Sequence, residues 1–115
     1  MKFKGKEYTE VKDRLIAFAD EFPESTIESK LISVNQIVDT PTGETCNEYV
    51  VQAIVRPNPM QQPEWYYMGL AAERDNTGFV NKTSALENCE TSAVGRALAF
   101  AGFGGDFAIA SKEEV

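Results

Sequence analysis

Two stretches rich in β-branched residues, separated by the turn sequence DTPTGE at residues 39–44, constrain the fold of this chain most. The first stretch runs from Thr26 to Val38, and the second is EYVVQAIVRP at residues 48–57. Because Asp, Pro and Gly supply turn chemistry between them, the sequence predicts an antiparallel hairpin. A third stretch, EWYYMGLAAERD at residues 64–75, follows a proline-rich loop and ends at DNTG. The chain is therefore expected to form a three-stranded antiparallel meander.

Helical patterns flank the three predicted strands. Thr9 is a candidate cap for a first helix over about residues 9–21, whose apolar residues recur at helical spacing: Val11, Leu15, Phe18 and Phe22. Ser84 and Glu87 form a capping-box pattern for a second helix, which is expected to run to about Ala101 before GFGGD. The predicted fold class is α+β, with the order helix, three strands, helix, and with both helices packed on one face of the sheet.

Length and composition exclude several classes of protein. A chain of 115 residues is expected to form one domain, residues 1–115. A further capping-box pattern at Ser111 and Glu114 suggests that another helix begins there and that the chain is truncated. No apolar run is long enough to span a bilayer and no signal sequence is recognisable, so we expect a soluble, cytoplasmic protein without a membrane partner. Cys46 and Cys89 are too few for a disulfide framework or a structural zinc site.

The charged and titratable residues argue against an enzyme. The sequence contains no histidine, which removes the commonest general base and metal ligand, and we expect no cofactor. A metal-dependent nuclease would need clustered carboxylates, which Glu87, Glu90 and Asp106 do not supply by their spacing. The formal net charge of −7 argues against binding nucleic acid by bulk electrostatics. Any nucleic-acid contact therefore needs a local group of basic residues.

The second helix carries unusually small residues opposite its apolar face. At 100° per residue, one broad arc is apolar: Leu86, Cys89, Ala93, Val94, Ala97, Leu98, Phe100 and Ala101. The opposite arc, which includes Gly95, is small enough to admit a flat or extended molecule. Glu90 falls within the apolar arc, so we predict that it is mostly buried and paired with a cation or a backbone donor.

Arg96, at the boundary between these arcs, is the main predicted phosphate contact, with Lys82 and Arg74 as secondary contacts. A guanidinium over a shelf of small residues can donate two hydrogen bonds to phosphate oxygens. In the alternative interpretation, a neighbouring helix or subunit covers the small face, and Arg96 makes an ordinary salt bridge.

Three consecutive aromatic residues mark the start of the third predicted strand: Trp65, Tyr66 and Tyr67. Because a strand points successive side chains to opposite faces, at least one of them should lie away from the face that the helices cover. That aromatic ring could stack on a base. Alternatively, the three rings serve the core and an interface.

The sequence ALENCETSAVGRALAFAGFGG at residues 85–105 resembles a motif of phage single-strand annealing proteins, the group that includes Erf and Sak and is related to the eukaryotic Rad-fifty-two annealing domain. The resemblance implies a protein that holds single-stranded DNA along its sugar-phosphate backbone and assembles into rings or filaments. It also implies that Arg96, and less directly Lys82, contacts that backbone. Gly95 stands where relatives carry a further basic residue.

These observations lead to a first functional hypothesis and one alternative. The hypothesis is sequence-independent binding and annealing of single-stranded DNA in phage recombination or replication, with a phage nuclease or a host recombination protein as a partner. The alternative is an acidic protein-interaction module of the same fold that has lost DNA binding. Open sheet edges and Gly95 on an outer helix face also predict a homo-oligomer.

Overall fold

A three-stranded antiparallel sheet with strand order β1-β2-β3 forms the centre of the fold in the computed structural model. The structure describes the backbone at residues 2–38, 41–76 and 78–104, and the side chains at residues 11–38, 41–76 and 84–104. The elements in chain order are α1 (Lys2–Glu21), β1 (Thr26–Val38), β2 (Thr45–Arg56), β3 (Tyr67–Arg74) and α2 (Gly78–Phe100). The predicted fold class is therefore confirmed. Asp106, Ser111 and Glu114 lie outside the described residues.

The helices lie on one side of the sheet, and α2 is in direct contact with it. A Cβ added at Gly69 of β3 would lie 2.3 Å from the carbonyl oxygen of Ala93 and 2.5 Å from the backbone nitrogen of Ala97. Glycine at this position therefore allows β3 and α2 to approach closely. The buried core lies between these layers: Val11, Phe18, Val51, Ala53, Val55, Ala71, Cys89, Ala93, Val94, Ala97 and Leu98.

The strand bounds follow the sequence prediction for β1 and differ for the other two strands, since β2 spans Thr45–Arg56 instead of residues 48–57. Strand β1 has the predicted bounds, whereas β3 begins at Tyr67 and not at Glu64. The backbone N–H of Trp65 donates to the carbonyl oxygen of Gln62 in a turn, 3.0 Å away, so this segment is not extended. The β2–β3 ladder accordingly ends at the pair Val55–Tyr67.

Both helices begin earlier than the capping signals predict. Helix α1 starts at Lys2 and continues through Thr9, so the prediction that Thr9 caps it is wrong. Helix α2 starts at Gly78 and has non-helical dihedral angles at Ser84, φ −132° and ψ 25°. The predicted boundary at Ser84 is thus a kink between two helical segments, and only the second segment was expected.

Strand β1 pairs with β2 along its whole length and contains one bulge. Leu31 pairs with Val51 and Ser33 pairs with Val50, which leaves Ile32 as the extra residue. The bulge shifts the alternation of side chains by one residue. Before it, residues such as Leu31 share the face of the buried Val51, and after it Val34 shares the face of Tyr49, which packs against the core.

Candidate nucleic-acid interface

Arg96, the main predicted contact, is exposed at the edge of β3. Its Nη1 donates a hydrogen bond of 2.6 Å to the carbonyl oxygen of Leu70. This contact covers one backbone acceptor of an edge strand. A guanidinium carries five N–H donors in a fixed fork, so Arg96 retains donors for a further acceptor.

Gly95, the smallest residue of the shelf beside Arg96, is not open to a ligand, so that part of the sequence interpretation is wrong. Gly95 is buried, and a Cβ added to it would lie 3.2 Å from Cγ2 of Val11 and 3.5 Å from Nη1 of Arg14. Arg14 also donates from Nη1 to the carbonyl oxygen of Gly95, 3.2 Å away. Helix α1 therefore covers this face, as the alternative interpretation expected for a neighbouring helix.

Glu90 is exposed, so the prediction that it is mostly buried is wrong. The hydroxyl of Ser29 in β1 donates a hydrogen bond to its carboxylate. The physical reason is that α2 contacts the sheet through a narrower row of residues than the predicted arc, centred on Ala93 and Ala97. Glu90 lies beside that row and faces β1, where water still reaches it.

The two secondary contacts are placed differently. Arg74 is exposed at the end of β3, and its Nε lies 3.4 Å from Oε2 of Glu48. Lys82 lies in the first segment of α2, and its side chain is outside the described residues. Because the kink at Ser84 interrupts the helix, Lys82 and Arg96 do not share an angular position on one continuous helix.

The packing of the elements brings Arg74 near the start of both helices. Helices α1 and α2 run in the same direction, since Val11 lies against Gly95 and Phe18 packs on Phe103 with ring centroids 5.4 Å apart. Strand β3 runs opposite to α2. Gly69 of β3 lies against Ala93 and Ala97. Two residues later in β3, the carbonyl oxygen of Ala71 accepts a hydrogen bond from the thiol of Cys89, which comes earlier in α2. The last residue of β3 therefore points toward the first turns of α2.

We call this region the helix-start end. It comprises the first half of α1, the turn at residues 41–44, Arg74 and the first half of α2. Arg96 is not part of it, because its partner Leu70 lies four residues before Arg74, about 13 Å along an extended strand. The structure thus brings Arg74 and the segment of Lys82 together and leaves Arg96 farther along the sheet edge.

The helix-start end also contains basic residues that the sequence analysis did not select. The first half of α1 holds Lys2, Lys4 and Lys6 against Glu7 and Glu10, whereas Lys12 lines the groove between the helices and Arg14 lies against Gly95. This segment has a positive balance in a chain of net charge −7. A count of basic and acidic residues along the sequence could have identified this segment. The first turns of two helices add positive partial charge to the same end.

A groove lies between α1 and α2. Its volume is about 430 Å³, and its lining combines apolar and charged residues: Val11, Lys12, Leu15, Glu87, Asn88, Glu90, Thr91 and Val94. The carboxylates of Glu87 and Glu90 disfavour a phosphate there. The groove is therefore not a candidate phosphate site.

Of the three aromatic residues Tyr66 is the exposed one, but it precedes β3, so the alternation of a strand on which the prediction rested does not place it. Tyr66 is 51% exposed, and the guanidinium of Arg56 lies 5.9 Å from its ring centroid. Trp65 packs edge-on against Phe22, with ring centroids 5.5 Å apart. Arg56 is the last residue of β2, so Tyr66 lies at the opposite end of the sheet from the helix-start end.

Two further features are absent from the residues that the structure describes. Within that part of the chain, no group of three or more acidic or thiol side chains is placed to hold a metal ion. In the same part, none of the helices combines the length and apolar character that crossing a membrane requires.

The comparison with protein families identifies this type of domain. The family model described as Slr1353 N-terminal dsRNA-binding domain-like matches residues 15–101, which is most of the chain. The chain belongs to this family. Neither curated proteins nor solved structures gave a match.

Membership of the Slr1353 N-terminal family corrects the earlier resemblance. The match covers most of the motif on which the resemblance to Erf and Sak proteins rests, and it assigns that segment to a different family. The identification as a phage annealing protein is therefore wrong. The coarser part of the functional prediction is supported, because the family indicates a dsRNA-binding-like, nucleic-acid-binding domain.

Proposed function

We propose that this domain binds double-stranded RNA through the helix-start end and recognises the shape of the duplex without reading its sequence. The observation that carries the proposal is membership of a dsRNA-binding-like family over residues 15–101. Double-stranded RNA-binding domains contact 2′-hydroxyls and phosphates across the grooves of A-form RNA and are largely shape-specific. No bond-making step is part of the proposal.

The distribution of charge supports this choice of surface. The overall charge of −7 opposes a polyanion, so binding has to depend on a region where basic residues are concentrated. The helix-start end contains five basic residues, Lys2, Lys4, Lys6, Arg74 and Lys82, against four acidic ones, Glu7, Glu10, Glu44 and Glu87, in a chain that is strongly acidic as a whole. Arg96 extends this set along the edge of β3 and remains a proposed phosphate contact.

A binding experiment with four ligands tests the proposal. Fluorescence anisotropy would compare an RNA duplex of roughly 20 bp, longer than the ~16 bp that such domains span, with a DNA duplex and single strands of the same sequence. We expect the RNA duplex to bind most tightly and its affinity to fall linearly in log salt. Tighter binding of single-stranded DNA would contradict the duplex proposal. Absence of binding to all four ligands at low salt would favour the protein-interaction module.

A matched pair of double variants tests the surface. Lys2→Gln with Lys6→Gln removes two charges from the helix-start end, and Lys30→Gln with Arg56→Gln removes two charges from β1 and the far end of β2. We expect the first pair to weaken RNA binding and to make the salt slope shallower by up to about two units. The second pair should change the slope much less. Equal effects of the two pairs would show that only net charge matters.

A further inference from the structure

Strand β1 leaves a long open edge on the sheet. It has 13 residues, and all of them except Ser33 and Ile37 are exposed. Its exposed apolar side chains are Ile27 at 38%, Leu31 at 46%, Ile32 at 47%, Val34 at 47% and Val38 at 59%. Long apolar edge strands pair readily with another strand. The other edge, β3, is shorter, and Arg96 already covers the carbonyl of Leu70 there.

The bulge at Ile32 decides which strand can pair with this edge. Ile27 and Leu31, before the bulge, pair with Val55 and Val51 and so share the helix-covered side of the sheet. Val34 and Val38, after the bulge, share that side as well, although they have even residue numbers. In a regular strand, residues of odd and even number point to opposite faces.

We propose that β1 pairs antiparallel with β1 of a second copy of this chain, about a two-fold axis that passes between Ile32 and Ser33. In this register Leu31 lies opposite Val34 of the second copy, and Ile27 lies opposite Val38. Because the bulge separates the members of each pair, both side chains point to the same face. The result is a continuous six-stranded sheet with a self-complementary interface.

The polar residues of β1 agree with this register. Lys30 lies opposite Asn35 of the second copy, Ser29 lies opposite Gln36, and Glu28 lies opposite Ile37. No two like charges face each other, which would destabilise a strand pair. Pairing also brings the exposed apolar side chains into lateral contact and satisfies the unpaired backbone groups of the edge. The proposal concerns the free protein and does not depend on the identity of the nucleic acid.

Sedimentation analysis of the free protein is the first test. We expect the wild-type chain to form a dimer that dissociates on dilution. Val34→Lys places a charge in the apolar pairs and should shift the protein to monomer. Leu70→Lys, at a position of similar exposure on β3, should leave the dimer intact. Circular dichroism would verify that both variants fold. A wild-type protein that stays monomeric at the highest concentration reached overturns the proposal.

Disulfide trapping tests the register itself. Leu31→Cys and Val34→Cys would be prepared as separate proteins, mixed, and oxidised with oxidised glutathione. Directly opposed residues on antiparallel strands have Cα atoms about 4.5–5.5 Å apart, within the range of a disulfide. The native thiols of Cys46 and Cys89 are buried and do not compete.

The expected result is a covalent dimer from the mixture and none from either variant alone. In the proposed register, Leu31 of one copy is offset from Leu31 of the other by three residues, about 10 Å along the strand. Trapping of either variant with itself, or of neither combination while the wild-type protein dimerises, would refute this register.

Discussion

At Gly69, the spacing between the sheet and α2 depends on the absence of one methyl group. A Cβ there would lie 2.3 Å from the carbonyl oxygen of Ala93, and a backbone atom cannot move as a side chain can. We expect Gly69→Ala to lower the free energy of unfolding by about 1–3 kcal/mol or more, as measured by urea denaturation. Gly95→Ala is the control, because its Cβ would meet only the side chains of Val11 and Arg14. Its gain in helix propensity, about 1 kcal/mol, should roughly offset that contact.

Cys89 gives stability a dependence on pH. Its thiol is fully buried near the carbonyl oxygens of Tyr49 and Ala71, and desolvation by burial raises its pKa above the usual value. A raised pKa in the folded state means that the stabilising contribution is complete below the pKa of the unfolded chain, about 8.5. It is then lost as the pH rises through the folded pKa.

The free energy of unfolding should therefore fall above about pH 8.5, with a slope from this group of at most about 1.4 kcal/mol per pH unit. Urea denaturation of wild type and Cys89→Ala at several pH values would isolate the contribution of Cys89 to this slope, since all other titrating groups are common to both proteins. Identical slopes for the two proteins would show that the thiol titrates normally in the folded state.

For whole elements, the sequence predicts the strands better than the helix surfaces. Strand β1 has the predicted bounds because β-branched residues and a turn sequence determine it locally. The faces of α2 depend on where α1 packs, and no local pattern encodes that position. Gly95 was therefore assigned to an open shelf, although α1 covers it, and Glu90 was assigned to the core, although it lies beside the contact row. The position of Arg74 near the start of α2 likewise depends on tertiary packing.

The kink of α2 gives a prediction for Ser84. Its non-helical dihedral angles make it a candidate cap for the second helical segment, which carries the core residues Cys89, Ala93 and Ala97. Ser84→Ala should lower the free energy of unfolding by about 1 kcal/mol, whereas Ser84→Asp should preserve it. Ser92→Ala, inside the same helix, is the control and should have little effect. Equal stability of Ser84→Ala and wild type in thermal denaturation would show that Ser84 marks only a bend.

In the whole molecule, the acidic charge leaves few places where a polyanion can approach. Glu87 and Glu90 line the groove between the helices, and Glu48 lies beside Arg74. The helix-start end has a small excess of basic residues, and Arg96 lies farther along the β3 edge. A duplex that follows this side of the molecule would meet the helix-start end first and Arg96 at its margin.

Arg96 should therefore contribute one phosphate contact to a larger set. Arg96→Ala is expected to weaken RNA binding similarly for duplexes of different sequence and to make the slope of log affinity against log salt shallower by about one unit. Arg96→Lys keeps the charge but lacks the planar fork, so it should retain most of the slope while losing the bond to Leu70. This pair separates phosphate binding from the structural contact with β3. If Arg96→Ala folds and keeps the wild-type slope, the role of Arg96 is to cover the strand edge, and the phosphate contacts lie at the helix-start end alone.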